Sequence, residues 1–246
     1  MKRLLLILIV LPLLATSCYD EPYADASITP NPAYVGETIN FLNLSQNTGD
    51  VEWDLGDGGT SSSNNLDYFY YDPGTYNVKL KAYGDKNYVD FATFPVEVIG
   101  SELTVVVRLW TDIDAGEAPG YLLPNARVRL YPTLTDWNEE TNMAVEGFSN
   151  SVGEVTFDNL SYQRYYVDVW EANHDNYTLA GEDVGFIETA ELEGIYYWTF
   201  DALVDYYPNG KKSATSRERP TDMLEKSATP GRTPGDLMDK SLREER

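Results

Sequence analysis

The sequence predicts an all-β protein: two tandem β-sandwich domains followed by a disordered C-terminal tail. Short segments alternate polar and apolar residues, as over residues 75–82, which is the period of a half-buried strand. The chain has 19 Tyr against 8 Phe, a balance that favours strands and half-buried surfaces over helical cores. Turn residues separate these segments at the spacing typical of sandwiches.

The N-terminus has the pattern of a signal peptide over residues 1–17. Lys2 and Arg3 precede an apolar run over residues 4–14, and three small residues precede Cys18, the only cysteine of the chain. The apolar run is too short to cross a membrane. It therefore predicts export from the cytoplasm.

The small residues directly before Cys18 resemble the lipobox of bacterial lipoproteins, although Ala15 stands where Leu is commoner. The resemblance implies cleavage before Cys18 and its acylation, with palmitate among the acyl chains, which would anchor the protein in a membrane through residues 18–23. Because Tyr19 rather than Asp follows the cysteine, we expect anchoring in the outer membrane. The acidic pair Asp20-Glu21 resembles the export signals of surface lipoproteins, and the protein then faces the cell exterior; the alternative is that it faces the periplasm. The alternative is a secreted protein in which Cys18 remains a free thiol.

The charge of the chain excludes nucleic acid as a partner. Seven basic residues lie between residues 19 and 206, against 33 acidic ones. A surface this acidic repels phosphate backbones and keeps the protein soluble.

Residues 24–99 carry an ordered series of short motifs. They read F-L-N at 41–43, W-D-L-G-D-G at 53–58, a Ser-rich loop, and D-P-G-T-Y-N-V-K-L at 72–80. The series resembles the PKD domain, an immunoglobulin-like sandwich, with Leu55 in place of the commoner Phe. We expect Trp53 to fill the space between its two sheets.

Two carboxylates, Asp54 and Asp57, lie within the glycine-rich turn of this domain. Asp side chains commonly accept hydrogen bonds from turn amides, and this is the interpretation we favour. The alternative is a Ca²⁺ site, because carboxylate oxygens are suitable ligands for that ion.

Residues 101–206 predict a second sandwich. Its motifs are P-N-A-R-V-R-L-Y at 124–131, S-N-S-V-G-E-V-T-F at 149–157 and Y-Y-V-D-V at 165–169. They resemble the carboxypeptidase-regulatory-like, or prealbumin-like, sandwich domains. In the loop before them, Asp112, Asp114 and Glu117 have part of the spacing of a Ca²⁺ loop, and a solvated acidic turn is the alternative.

Trp137 is the candidate ligand-binding residue of the second domain, with Asp136 and Asn138 beside it. An exposed Trp flanked by polar side chains can stack on a sugar ring and hydrogen-bond its hydroxyls. The alternative is that Trp137 plugs the edge of the sandwich.

No residue pattern predicts catalysis or a cofactor. His174 is the only histidine, in a turn-like segment where an exposed structural role is expected, and no Cys–His pair exists. We therefore expect a non-enzymatic, lipid-anchored binding or adhesion module whose ligand is a glycan or an envelope protein. The alternative is a structural spacer or an accessory subunit of an outer-membrane complex.

The last segment, residues 207–246, repeats itself with a period of 14 residues, starting at Lys212 and again at Lys226. It contains no aromatic residue after Tyr207 and carries several prolines. With so few apolar groups to bury, we expect disorder. A short docking motif in two copies is the alternative.

Overall fold

The computed structural model describes residues 20–110, 120–172, 174–177 and 187–206. Cys18, the acidic loop with Asp112, Asp114 and Glu117, and the repeated tail lie outside these ranges. Within them the all-β prediction is confirmed, with 15 strands and one short α-helix. No helix in the described segments has the length and apolar character that a membrane span requires.

The first domain consists of a three-stranded and a five-stranded sheet packed face to face, in the orders β1-β3-β6 and β2-β8-β7-β4-β5. A 3₁₀ turn at Asp85–Asn87 connects its last two strands. The strands are β1 (Ala26–Thr29), β2 (Ala33–Tyr34), β3 (Ile39–Asn43), β4 (Asp50–Asp54), β5 (Thr60–Ser61), β6 (Leu66–Tyr68), β7 (Gly74–Tyr83) and β8 (Val89–Ile99).

Strand β7 shows how the alternating pattern forms this sandwich. Val78, Leu80 and Ala82 are buried in the core, while Lys79 and Lys81 between them face outward. Successive side chains of a strand point to opposite faces, so one sequence pattern supplies both the core and the polar surface.

The second domain is a sandwich formed from a single bent sheet in the order β11-β10-β13-β14-β15-β9-β12. The short strand β14 joins the two layers, and β15 pairs with β9 in parallel. Its strands are β9 (Ser101–Leu109), β10 (Arg127–Tyr131), β11 (Val145–Phe148), β12 (Glu154–Leu160), β13 (Tyr166–Glu171), β14 (His174–Asp175) and β15 (Tyr197–Tyr206).

One helix lies in a polar stretch whose sequence has no helical period. Helix α1 (Leu134–Glu139) begins after Thr133, whose hydroxyl accepts a hydrogen bond from the backbone N–H of Asp136. A helix of six residues is too short to show an apolar period, and its N-cap and its buried Trp137 stabilise it.

A single residue, Gly100, links the two domains, because β8 ends at Ile99 and β9 begins at Ser101. A Cβ atom on Gly100 would lie 2.5 Å from the backbone Cα and C atoms of Asn159 in the second domain. No other residue fits at this position without displacing backbone.

Tyr162 of the second domain packs on the first, and we call this contact the joint. Its ring lies at a right angle to that of Phe69, with centroids 5.9 Å apart, and 5.8 Å from that of Tyr71. Gly36, with φ at +76°, lies beneath the ring, and a Cβ there would approach Cδ2 of Tyr162 to 2.9 Å. Three hydrogen bonds accompany the packing: Tyr162 N–H to Tyr71 O (2.7 Å), Gly194 N–H to Val35 O (3.0 Å), and Ser161 Oγ to Asp72 Oδ1 (2.6 Å).

The joint and the first described residues of the chain lie at opposite ends of the first domain. Pro22 lies against Gly84, beyond the end of β7 that is farthest from the joint. We call this the anchor end. In the second domain, β9 begins at the joint and finishes at Leu109, where it pairs with Val204 of β15. That far side of the second domain is the distal end.

Candidate functional site

Trp137, the predicted sugar-stacking residue, is fully buried, so its predicted exposure is wrong. Its ring stacks with that of Tyr177 at a centroid distance of 6.0 Å, and its Nε1 donates to the backbone oxygen of Val167 at 3.0 Å. With Tyr131 and Ile187 it forms a small core beneath α1. The alternative, that Trp137 plugs the sandwich, describes what the structure shows.

Asp136 and Asn138 do not form a binding site around Trp137. The Asp136 carboxylate accepts a hydrogen bond from the Thr133 hydroxyl at the start of α1. The Oδ1 atom of Asn138 is buried and has no hydrogen-bond partner in the part of the chain that is described. Since the indole between them is buried, the three side chains cannot share a sugar.

Asp54 and Asp57 act as acceptors within their turn. Oδ1 of Asp54 accepts from the Gly56 N–H at 3.1 Å, and Oδ1 of Asp57 from the Gly59 N–H at 2.9 Å. Asp57 also accepts from the Tyr68 hydroxyl at 2.8 Å. Among the described residues, no group of three or more His, Cys, Asp or Glu side chains is placed to hold a metal ion.

The tyrosines beside this turn are held in their neutral form. Burial, reinforced by the hydrogen bond to Asp57, raises the pKa of Tyr68 to about 12. Burial also raises the pKa of Tyr70, whose hydroxyl donates to the backbone oxygen of Leu55 at 2.8 Å. Both hydroxyls therefore resist ionisation in the folded state.

We expect the first domain to lose stability as the pH rises from 10 to 12. The unfolded chain releases the Tyr68 proton at a pKa of 10.0 whereas the folded domain keeps it to about 12. The stabilisation is thus complete below pH 10 and is lost through this window. Urea midpoints measured by Trp fluorescence should fall between pH 10 and 12, and less steeply in Tyr68→Phe. An equal slope in both proteins would contradict the assignment to Tyr68.

His174 lies in a strand, not in the exposed turn that the sequence indicated. It belongs to β14, which pairs with both β13 and β15, and its side chain is half-buried. Its Nδ1 is 3.2 Å from Oε2 of Glu171. This contact joins the facing ends of β13 and β14.

The distal end carries exposed apolar side chains. Tyr121 is 82% exposed and Val152 is 50% exposed, and Leu122 packs against the turn at Gly153 with 39% of its surface exposed. Contiguous exposed apolar groups on a soluble domain mark interaction surfaces. In sequence, Tyr121 and Leu122 follow the acidic loop, and no sequence pattern marks these residues as a site.

Next to these residues, three side chains form a row across the outer face of the sheet, which we call the aromatic row: Phe148, Arg127 and Trp170. Arg127 is paired directly with Phe148 on one side and with Trp170 on the other. Its guanidinium carbon lies 5.1 Å from the centre of the Trp170 ring. Phe148 is 61% exposed. The row combines stacking surface with planar hydrogen-bond donors.

A cleft of about 420 Å³ lies at the opposite end of the domain, near the joint, where the edge strands β11 and β12 diverge. Its lining mixes apolar and polar groups, among them Met143, Asn142 and Asp158. The one aromatic residue of its lining, Tyr165, is buried. The cleft therefore offers hydrogen bonds without an exposed stacking surface.

The family model of the PKD domain matches residues 19–98. The PKD1 domain of Vibrio anguillarum Epp is 24% identical, with 32% of this chain and 95% of that chain covered, at a TM-score of 0.29. The PKD1 domain of the Vibrio cholerae metalloprotease PrtV is also 24% identical, over 32% and 98%, at 0.28. The group B streptococcus pilus 2b backbone protein is 11% identical, over 75% and 98%, at 0.32.

Proposed function

We propose that this chain, whose first domain is PKD-like and immunoglobulin-like, is a non-enzymatic, lipid-anchored arm of the cell envelope. In this proposal the distal end of the second domain is the binding surface. One observation carries it: the segment next to Cys18 and the exposed apolar surface lie at opposite ends of two domains that the joint holds together.

The anchor end fits a position next to a membrane. The segment from Cys18 to Tyr23 is short. Within it, the backbone oxygen of Glu21 accepts a hydrogen bond from Asn47 Nδ2 of the first domain at 3.1 Å. Tyr23 then pairs with Gln46. A lipid on Cys18 would therefore hold the first domain by this end, and we infer an outer-membrane location from the residue after the cysteine.

The second domain extends the arm. Its motifs on β10 and β12 support our proposal that it is a prealbumin-like sandwich. Strand β7 has ten residues and β9 has nine, so each domain separates its two ends by roughly 30 Å. Gly100 links the two domains directly, and Tyr162 packs the second domain on the first, so no flexible linker joins the domains. The distal end is therefore held away from the membrane.

A purely structural spacer is the second candidate function, since the fixed joint supports it equally well. A spacer needs polar ends or ends covered by neighbours. The exposure of Tyr121, Phe148 and Val152 favours binding, because large apolar side chains in water are unfavourable unless a partner covers them.

We expect energy transfer from a fluorophore on the protein to acceptor lipids to be strong from the anchor end and weak from the distal end. The lipidated chain is reconstituted in vesicles carrying the acceptor. A donor is attached through Gln46→Cys or Ser151→Cys, both at exposed positions. Because Cys18 is acylated, the introduced thiol is the one that reacts.

Two outcomes would overturn this proposal. The same labelled proteins carrying Cys18→Ala should show no transfer from either site, so transfer that persists would mean that the lipid on Cys18 is not the anchor. Equal transfer from both sites in the lipidated protein would mean that the arm lies along the membrane. Mass spectrometry of the membrane fraction verifies the acylation.

A further inference from the structure

The aromatic row lies on the same sheet face as α1, nearer the distal end. Nearer the joint, the outward side chains Tyr131 and Tyr166 of the same two strands lie beneath α1, packed with Trp137. Two residues along each strand toward the distal end, Arg129 pairs with Asp168. Two residues further along each strand in the same direction, Arg127 pairs with Trp170. The row and α1 therefore lie on one sheet face, separated by the pair of Arg129 and Asp168.

The guanidinium of Arg127 is fixed before any ligand arrives. It lies over the Trp170 ring, and its Nε is 4.0 Å from Oε2 of Glu146. That carboxylate is itself held by Arg129, whose Nε lies 2.5 Å from the same oxygen. A stacked, ion-paired arginine keeps its planar donors in one orientation, so little side-chain entropy is lost when they bind.

Phe148 provides the open stacking surface of the row. It lies at the end of the edge strand β11, where its outward side chain has no further strand beside it. Strand spacing places the ring roughly 5 Å from the Arg127 position and about 10 Å from that of Trp170. A short oligosaccharide could cover this length.

We propose that the aromatic row binds neutral glycans, a ligand class that rests on the proposed function of the distal end. The apolar face of a pyranose ring would stack on Phe148, since aromatic side chains present large rigid apolar surfaces. The Arg127 N–H groups would donate hydrogen bonds to hydroxyl oxygens of the sugar, and the Glu146 carboxylate would accept hydrogen bonds from sugar hydroxyls.

The charge of the domain selects uncharged sugars. Residues 101–206 contain four arginines, no lysine and 20 acidic residues. The positive charge of the row is already balanced, because Arg127 and Arg129 share Glu146 and Arg129 also contacts Glu140 at 3.6 Å. Uronates and sulfated sugars would therefore meet a repulsive field.

The test is native affinity electrophoresis of the full mature chain in detergent, in gels that contain a neutral β-glucan, α-glucan, mannan, xylan or galactan, or a polyuronate. At least one neutral polysaccharide should retard the wild type, and the polyuronate should not. Calorimetry with oligosaccharides of the retarding polymer then measures affinity. Phe148→Ala should weaken it at least tenfold, and Arg127→Lys should weaken it as well.

Phe91→Ala is the matched control, because Phe91 is an exposed aromatic residue on the first domain. It should bind as the wild type does, and all variants should keep the wild-type melting temperature. Absence of retardation by every neutral polysaccharide, retardation by the polyuronate, or full affinity in Phe148→Ala would each overturn the glycan assignment. If the energy-transfer experiment in vesicles still gives its expected result in that case, the proposed lipid-anchored arm is retained. Its distal end then binds a protein instead of a glycan.

Discussion

We expect Trp53→Ala to lower the free energy of unfolding of the first domain by about 3–5 kcal/mol, the range for removing a large buried aromatic side chain. Trp53 is fully buried, as predicted, and meets the Phe41 ring edge-on at 5.8 Å. Its Nε1 donates to the backbone oxygen of Ser63 at 3.0 Å. The substitution removes both the packing and this hydrogen bond, which is a large fraction of the total stability of a small domain.

Phe91→Ala is the control in this experiment. It removes an aromatic side chain that is not buried, and so shows whether the effect of Trp53→Ala comes from burial. Phe91 lies on the same five-stranded sheet but is 66% exposed, so its loss should change the free energy of unfolding by less than about 0.5 kcal/mol. Urea titrations followed by circular dichroism measure both variants. A Trp53→Ala protein with a midpoint like that of Phe91→Ala would show that the indole is not the centre of the core.

Tyr162→Ala is expected to separate the unfolding of the two domains. In the wild type the joint couples them, so calorimetry should show one cooperative transition. Removing the ring deletes its packing on Phe69 and Tyr71, a loss on the order of 2 kcal/mol for a half-buried aromatic side chain. The variant should unfold in two steps, with the first domain melting at its own temperature.

Tyr197→Ala is the control for the joint, because Tyr197 is also a tyrosine at that end of the second domain but is 75% exposed. It should retain the single transition. If Tyr162→Ala also unfolds in one step at the wild-type temperature, the ring does not couple the domains.

The sequence predicted those parts of the fold that depend on local chemistry. Alternation identified the core face of β7, and the turn residues around Gly56 marked the hairpin in which Asp54 and Asp57 accept backbone hydrogen bonds. Trp53 was placed correctly because it belongs to a short motif that resembles immunoglobulin-like sandwiches, in which a strand-centre Trp lies between the two sheets. Each of these inferences needs only residues within one strand or turn.

The predicted exposure of Trp137 is wrong because polar neighbours in the sequence do not show that a residue is exposed. In a helix, residues on either side of a position point away from it, so Asp136 and Asn138 say little about their neighbour. The aromatic row was missed for a different reason. Alternation along β10 and β13 puts Arg127 and Trp170 on outward faces, but only the register between strands brings them side by side with Phe148.

The parallel pairing of β15 with β9 has a consequence for the order in which the two domains fold. The first domain is complete in sequence at Ile99, so it can fold as soon as that segment emerges. The second domain cannot, because its last strand occupies an interior position of the sheet, and its partner begins some hundred residues earlier at Ser101. Closing so long a loop is slow, and until it closes β9 exposes an unpaired edge. A chain with a folded first domain and an unfolded second domain is thus the expected folding intermediate, and truncation before Tyr197 should trap it.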